Sequence, residues 1–146
     1  MRQVKENSTR PVRFHLLCHS MGHQVFRGIY SVNLENDQFN FGDIIFAAPD
    51  VDYEIFGKEW GGLPGKAERI TYFVNENDRA LKISEKKLKI KRLGKDGSVV
   101  KMRDSVEEIN VSNIKDTKGF SPKYTGHGYL FASKTVREII IHLLNK

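Results

Sequence analysis

One cysteine, Cys18, stands among 146 residues, so no disulfide can close within the chain and a reducing compartment is the expectation. No apolar run approaches the roughly 18 residues that a membrane span needs, and residues 1–13 lack the apolar centre of a secretory signal. A cytoplasmic location follows as an expectation. The sequon Asn7-Ser8-Thr9 would matter only in a secreted eukaryotic protein, a context nothing else supports. No internal repeat or low-complexity tract is present, and no G-x-G-x-x-G follows an apolar run, so a dinucleotide site has no signature. "GGLPGK" ends like a phosphate loop at Gly65-Lys66. The required spacing, however, puts Trp60 where the first glycine must stand, and Ala67 replaces the serine or threonine.

Acidic residues are scarce in one stretch. Lys86, Lys87, Lys89, Lys91, Arg92, Lys95, Lys101 and Arg103 face only Asp96, and this run supplies much of the formal charge of +6. Such a cluster can hold phosphates. It lacks interleaved aromatic residues for base stacking, so it reads as a solvated loop and no nucleic-acid partner is expected.

What is present is an ordinary globular composition, 39% hydrophobic and 29% charged, in a chain long enough for one domain with a real core. Residues 1–12 read as a polar lead-in and 13–146 as the folded part. "VRFHLLC" (12–18), "DIIFAAP" (43–49), "ITYFV" (70–74) and "EINVSNI" (108–114) read as strands. Between them, Val25, Phe26, Ile29, Tyr30 and Val32 follow a helical period that should stop near "NLEND". "YEIFGKEW" suits a short helix, and residues 78–88 an amphipathic one with Ala80, Leu81 and Leu88 inward. "KDGS" is a turn signal whose flanks could pair as a hairpin. Ser133 is placed to cap a last helix with Val136, Ile139, Ile140, Leu143 and Leu144 as its buried stripe. Strands alternating with helices predict a mostly parallel sheet of about four strands, an α/β fold.

"FHLLCHSMGHQVF", residues 14–26, concentrates the chemistry. His15, His19 and His23 recur every four residues, which would gather metal ligands on one helical face, but a strand through 14–18 removes that spacing. Cys18 inside a strand reads as an inert small hydrophobe. Ser20 fits better: strand, His19-Ser20-Met21-Gly22, then helix is the setting of a nucleophile elbow. Small residues are wanted two before and two after the serine, where strand and helix backbones approach closely; Gly22 complies and Cys18 stands where glycine is usual. The new helix would aim Met21 N–H at a developing oxyanion. A base and an orienting acid must follow in the order Ser, Asp or Glu, His. Asp78 follows the third strand, and His127, between Gly126 and Gly128, follows the last. Asp50 and Asp52 are the rival acids, with the turn after Pro49 as their simpler role, and Glu76 is a weaker one. His19 is expected to pack beneath the elbow; His23 and His142 receive no role.

Through "HLLCHSMGHQVF", "IIFAAPDVDYEIF", "ITYFVNENDRALKIS" and "GHGYL", the chain resembles the α/β-hydrolase fold, and within it the bacterial domain-of-unknown-function 900 family (DUF900). The resemblance spans residues 13–145 and implies Ser20 as nucleophile, Asp78 as acid and His127 as base, acting on a small-molecule ester or acyl substrate without metal or cofactor. That fold normally carries about four further strands, and an oxyanion loop, before the nucleophile strand. The resemblance therefore implies the C-terminal part of an α/β-hydrolase domain, lacking the usual second oxyanion donor. The nucleophile strand becomes a sheet edge. The alternative is a catalytically silent chain whose edge is covered by self-association or by a partner chain.

Overall fold

Each of the four runs contributes a strand, and the four lie side by side in parallel; the last strand is Val106–Asn110, starting before "EINVSNI" and leaving residues 111–114 in a turn. The computed structural model describes residues 12–33, 41–59, 65–97, 106–116 and 126–146. Strand β1 spans Leu16–His19, β2 Phe41–Ala47, β3 Ala67–Val74 and β4 Val106–Asn110, in the spatial order β1-β2-β3-β4. Register brings His19, Ala47, Phe73 and Ile109 into one row, so the carboxyl ends of the strands finish level. Open parallel sheets place their functional groups at that end.

Alternation along the strands builds two cores, one on each face. Cys18, Ile44, Phe46, Ile70, Tyr72 and Val74 share one; Ile45, Ala47 and Phe73 share the other. β2 lies between two strands with helices on both faces, and for that reason its sequence is a continuous apolar run. Asp43 is the exception. Its buried carboxylate meets Arg69 Nε at 2.7 Å and His15 Nδ1 at 2.8 Å, and Arg69 also donates to the Leu143 carbonyl. A buried charge is tolerated there because it is paired, and the pairing ties the last helix to the sheet.

Six helices complete the described fold: α1 Gly22–Asn33, α2 Tyr53–Glu59, α3 Arg79–Leu88, α4 Leu93–Asp96, α5 Tyr129–Ala132 and α6 Lys134–Leu144. Phe26 of α1, Phe56 of α2 and Leu93 of α4 pack on the first face; Leu81, Tyr129, Val136, Ile140 and Leu143 pack on the second. Ser133 caps α6, its Oγ accepting from Val136 N–H at 3.0 Å, and Ile139 and Leu144 flank the buried stripe. Helix α1 ends where the sequence indicated, but its apolar face splits. Phe26 and Tyr30 turn inward while Val25 and Ile29 are exposed, because a helix on a sheet edge has only one side to bury. In α3, Leu81 is buried but Leu88, at the helix's end, is exposed.

The hairpin expected from the flanks of "KDGS" is not what its described part forms, and residues 98–105 lie outside the described residues. Leu93–Asp96 is a helical turn seated on the sheet ends, its Gly94 N–H donating to Pro49 O at 3.0 Å and its carbonyl accepting from Asn75 N–H at 2.8 Å. The basic run is correspondingly broken up. Arg92 is buried beside Asp50 at 3.2 Å, and Lys95 meets Glu85 at 2.9 Å and Asp96 at 2.7 Å. Lys101 and Arg103 lie outside the described residues. Among the described residues no helix is long and apolar enough to cross a membrane.

Candidate active site

Ser20 occupies a sharp turn between β1 and α1. Its N–H still bonds Ala47 O at 2.9 Å, as if continuing the strand, while its φ is 52°, in the left-handed region. That conformation costs a non-glycine residue on the order of 1–2 kcal/mol and persists only where neighbours enforce it. Two neighbours do so through the Ser20 carbonyl, which accepts from His23 Nδ1–H at 2.9 Å and from Asp50 N–H at 3.4 Å. His23 is buried, and burial holds its ring below the usual histidine range, in the neutral form whose Nδ1 donates. Met21 N–H has no acceptor among the described residues, and the Met21 side chain is exposed.

The cysteine in place of the usual glycine has a simple account. A Cβ added at Gly22 would lie 3.8 Å from Cys18 Cβ, so the close approach of strand and helix is shared: Cys18 fills the space and Gly22 leaves it. Burial pushes the Cys18 thiol up to about 11, which leaves no thiolate at neutral pH.

Asp78 and His127 meet. His127 Nδ1 lies 2.7 Å from Asp78 Oδ2, with the carboxylate fully buried and the imidazole only partly so. Asp78 comes from the turn after β3, where it also caps α3 by accepting Leu81 N–H with Oδ1 at 2.9 Å. His127 is presented by a turn in which Gly126 has φ 84°; a Cβ there would sit 2.8 Å from Asn77 O. The rival acids are committed elsewhere. Asp50 takes Arg92 and a hydrogen bond from Ser84 Oγ at 2.8 Å, and Asp52 accepts Glu54 N–H at 2.8 Å at the start of α2. Glu76 accepts from Asn110 Nδ2.

Ser20 Oγ and His127 Nε2 are not hydrogen-bonded to one another. The elbow reaches the pair through His19, the residue before Ser20. His19 Nε2–H donates to the His127 carbonyl at 3.0 Å, and the two rings lie 4.9 Å apart between centroids. His19 therefore packs beside the Asp78–His127 pair. Burial lowers its proton affinity, and Phe131 lies edge-on to it at 5.2 Å. His15, His19 and His23 take separate partners in Asp43, His127 O and Ser20 O, and no group of three metal-ligating side chains gathers among the described residues.

Two residues of the site went unmarked in the sequence. Asn75, wholly buried, donates Nδ2–H to Gly126 O at 2.6 Å. Tyr129, also wholly buried, accepts Ala48 N–H at 2.5 Å and donates to Phe73 O at 3.3 Å, pinning α5 to the ends of β2 and β3. A polar residue directly after a buried strand, as in "VNEND", was the available signal for Asn75.

A parallel sheet with helices on both faces, bearing a serine at a strand–turn–helix junction, has the architecture of an α/β hydrolase. The chain belongs to the α/β-hydrolase family of unknown function DUF900, whose profile matches residues 1–144. Comparison with curated proteins and with solved structures gives no match.

Proposed function

We propose that the chain is a serine hydrolase that cleaves an ester-like carboxylic bond through an acyl-enzyme. The observation that carries this reading is the 2.7 Å contact of His127 Nδ1 with the buried Asp78 carboxylate, beside a serine in left-handed backbone. Donation of Nδ1–H to Asp78 leaves the lone pair of a neutral imidazole on Nε2, the atom that must take a proton. Ser20 Oγ attacks the substrate carbonyl as its proton passes to His127 Nε2. The oxyanion forms against Met21 N–H, His127 returns the proton to the leaving alcohol, and water releases the acyl group by the same steps. The Ser20–His127 hydrogen bond, open at rest, closes in the substrate complex, as such bonds commonly do. The chemistry needs no cofactor.

Steady-state turnover of p-nitrophenyl acetate, with stopped-flow observation of the burst, tests this reading. A burst stoichiometric with the chain, absent in Ser20→Ala, supports it. Turnover that survives Ser20→Ala, or none in the folded wild-type chain, refutes it.

One observation favours a second reading, association without chemistry. Among the described strands β1 pairs on one side only, and Leu17 on it, Met21 in the turn after it, and Val25 and Ile29 on α1 are exposed. An unpaired edge is a template for another strand. Self-association through β1 predicts a dimer by sedimentation that Leu17→Lys converts to monomer; a wild-type monomer excludes it.

A further inference from the structure

The histidine turn is gripped by side chains from two different strands. Gly126 and His127 are consecutive, and each peptide carbonyl accepts one side-chain N–H: Gly126 O from Asn75, His127 O from His19. His19 ends β1 and Asn75 follows β3, with β2 between them. The two donors thus rise from strand ends about 10 Å apart.

Neither donor is free to turn. Asn75 uses all its other polar groups: its N–H donates to Gly94 O at 2.8 Å, its Oδ1 accepts Asn77 N–H at 3.1 Å, and its carbonyl accepts Asp78 N–H at 3.0 Å. Oδ1 must be the acceptor from Asn77, which fixes the amide with Nδ2 toward Gly126. His19 faces a carbonyl, which only accepts, so its Nε2 carries the proton, and its ring is flanked by those of His127 and Phe131. Asn75 moreover touches the turns that carry both halves of the acid–base pair, at Asp78 N–H and at Gly126 O. One residue holds the Asp78 turn by its backbone and the His127 turn by its side chain.

We propose that His19 and Asn75 are positioning residues that clamp the two peptide carbonyls flanking the start of the His127 turn and so set the contact between His127 Nδ1 and Asp78 Oδ2. The proposal rests on the serine-hydrolase reading for its purpose, though not for its geometry. An imidazole that must take a proton from Ser20 while donating to Asp78 tolerates little displacement, and a misplacement of about 1 Å can cost on the order of a hundredfold in rate. Among the described residues, no backbone–backbone hydrogen bond is made by Gly126 or His127. Gly126 is held in a left-handed conformation that only glycine adopts readily, and the clamp supplies the restraint a side chain at that position would otherwise give.

The test compares His19→Phe, His19→Gln and Asn75→Asp in histidine-¹⁵N-labelled chain. Two readouts are followed: the low-field proton on His127 Nδ1, and the rate of phosphonylation by a fluorophosphonate. Phenylalanine keeps the ring and removes the donor; glutamine keeps an N–H at the same reach; aspartate keeps the shape of asparagine and turns the donor into an acceptor. With melting temperatures near wild type, His19→Phe and Asn75→Asp should broaden or lose the low-field proton and slow labelling about 10- to 100-fold. His19→Gln should restore both to within a few fold. If Asn75→Asp fails to fold, the two His19 variants decide. An unchanged proton and rate in His19→Phe, a His19→Gln as impaired as His19→Phe, or a wild type without the low-field proton would overturn the clamp. A wild type that shows the proton, loses it in His19→Phe and yet is never phosphonylated would uphold the clamp and sink the hydrolase reading instead.

Discussion

Asp78 divides its carboxylate between two partners: Oδ2 lies 2.7 Å from His127 Nδ1, and Oδ1 accepts Leu81 N–H at 2.9 Å. The helix cap and the contact with His127 thus coexist in one buried side chain, one oxygen each. Asn caps helices about as well as Asp, so Asp78→Asn should keep most of the melting temperature. The variant presents an amide to an imidazole that needs an acceptor for its Nδ1 proton. Labelling and turnover should then fall by about 10⁴ if the amide forces the other tautomer. Asp78→Ala should lose activity and also about 1 kcal/mol or more of stability from the missing cap. Full activity in Asp78→Asn would mean that His127 does not depend on this contact.

Ser20 holds a φ of 52°. Glycine adopts that backbone without strain. Ser20→Gly should therefore raise the unfolding free energy by roughly 1 kcal/mol while removing all reactivity, whereas Ser20→Ala keeps the strain and should raise it little. Chemical denaturation of the three chains checks this. A Ser20→Gly chain less stable than Ser20→Ala would show that the turn is not strained.

Three glycines should respond differently to alanine. At Gly94 a Cβ would lie 2.6 Å from Ala48 C and from Pro49 N, both backbone atoms, so Gly94→Ala must push α4 off the sheet ends and destabilise. At Gly22 the new methyl would make an ordinary 3.8 Å contact with Cys18, so the change should be mild. At Gly28, within α1, nothing lies within 4 Å, and Gly28→Ala should stabilise by roughly 0.5–1 kcal/mol. The expected order of melting temperatures is Gly28→Ala, wild type and Gly94→Ala, from highest to lowest.

Stability should fall as the pH drops from about 7.5 to 5.5. Burial lowers the proton affinity of His19 and His23 below the unfolded value near 6.5. Below that value the unfolded chain binds more protons than the folded one, so unfolding free energy rises with pH. The contribution is fully present above about 6.5 and is lost as pH falls through the lowered folded values. His23 is the stronger case, since its Nε2 is buried with no hydrogen-bond partner among the described residues, and protonation there would add a charge with no such partner. His23→Gln should show a shallower dependence of urea midpoint on pH than wild type. An equal or steeper slope would contradict this origin.

The parts of the site that depend on local pattern were legible in the sequence. A buried strand running into a helical period located the elbow at Ser20, and a polar turn after the third strand located Asp78. What joins them was not legible, because it depends on contacts distant in the chain. Asn75 reaches Gly126 across 51 positions and His19 reaches His127 across 108. The basic run misled for the same reason. Arg92 and Lys95 are neutralised by Asp50 and Glu85, which no local reading pairs with them. Helices α4 and α5 are single turns, too short to show a period. The exposed Val25 and Ile29 share the helical period of Phe26 and Tyr30, and only the position of β1 at the sheet edge separates them.

The most direct test of the central claim, that the Asp78–His127 pair activates Ser20, is phosphonylation of the purified, folded chain followed by intact mass and peptide mapping. Wild type, Ser20→Ala and His127→Ala would be compared side by side. The account predicts one adduct, on Ser20, absent in Ser20→Ala and slowed by orders of magnitude in His127→Ala. An unmodified wild type, or an adduct on Ser20 that forms equally fast without His127, would contradict it.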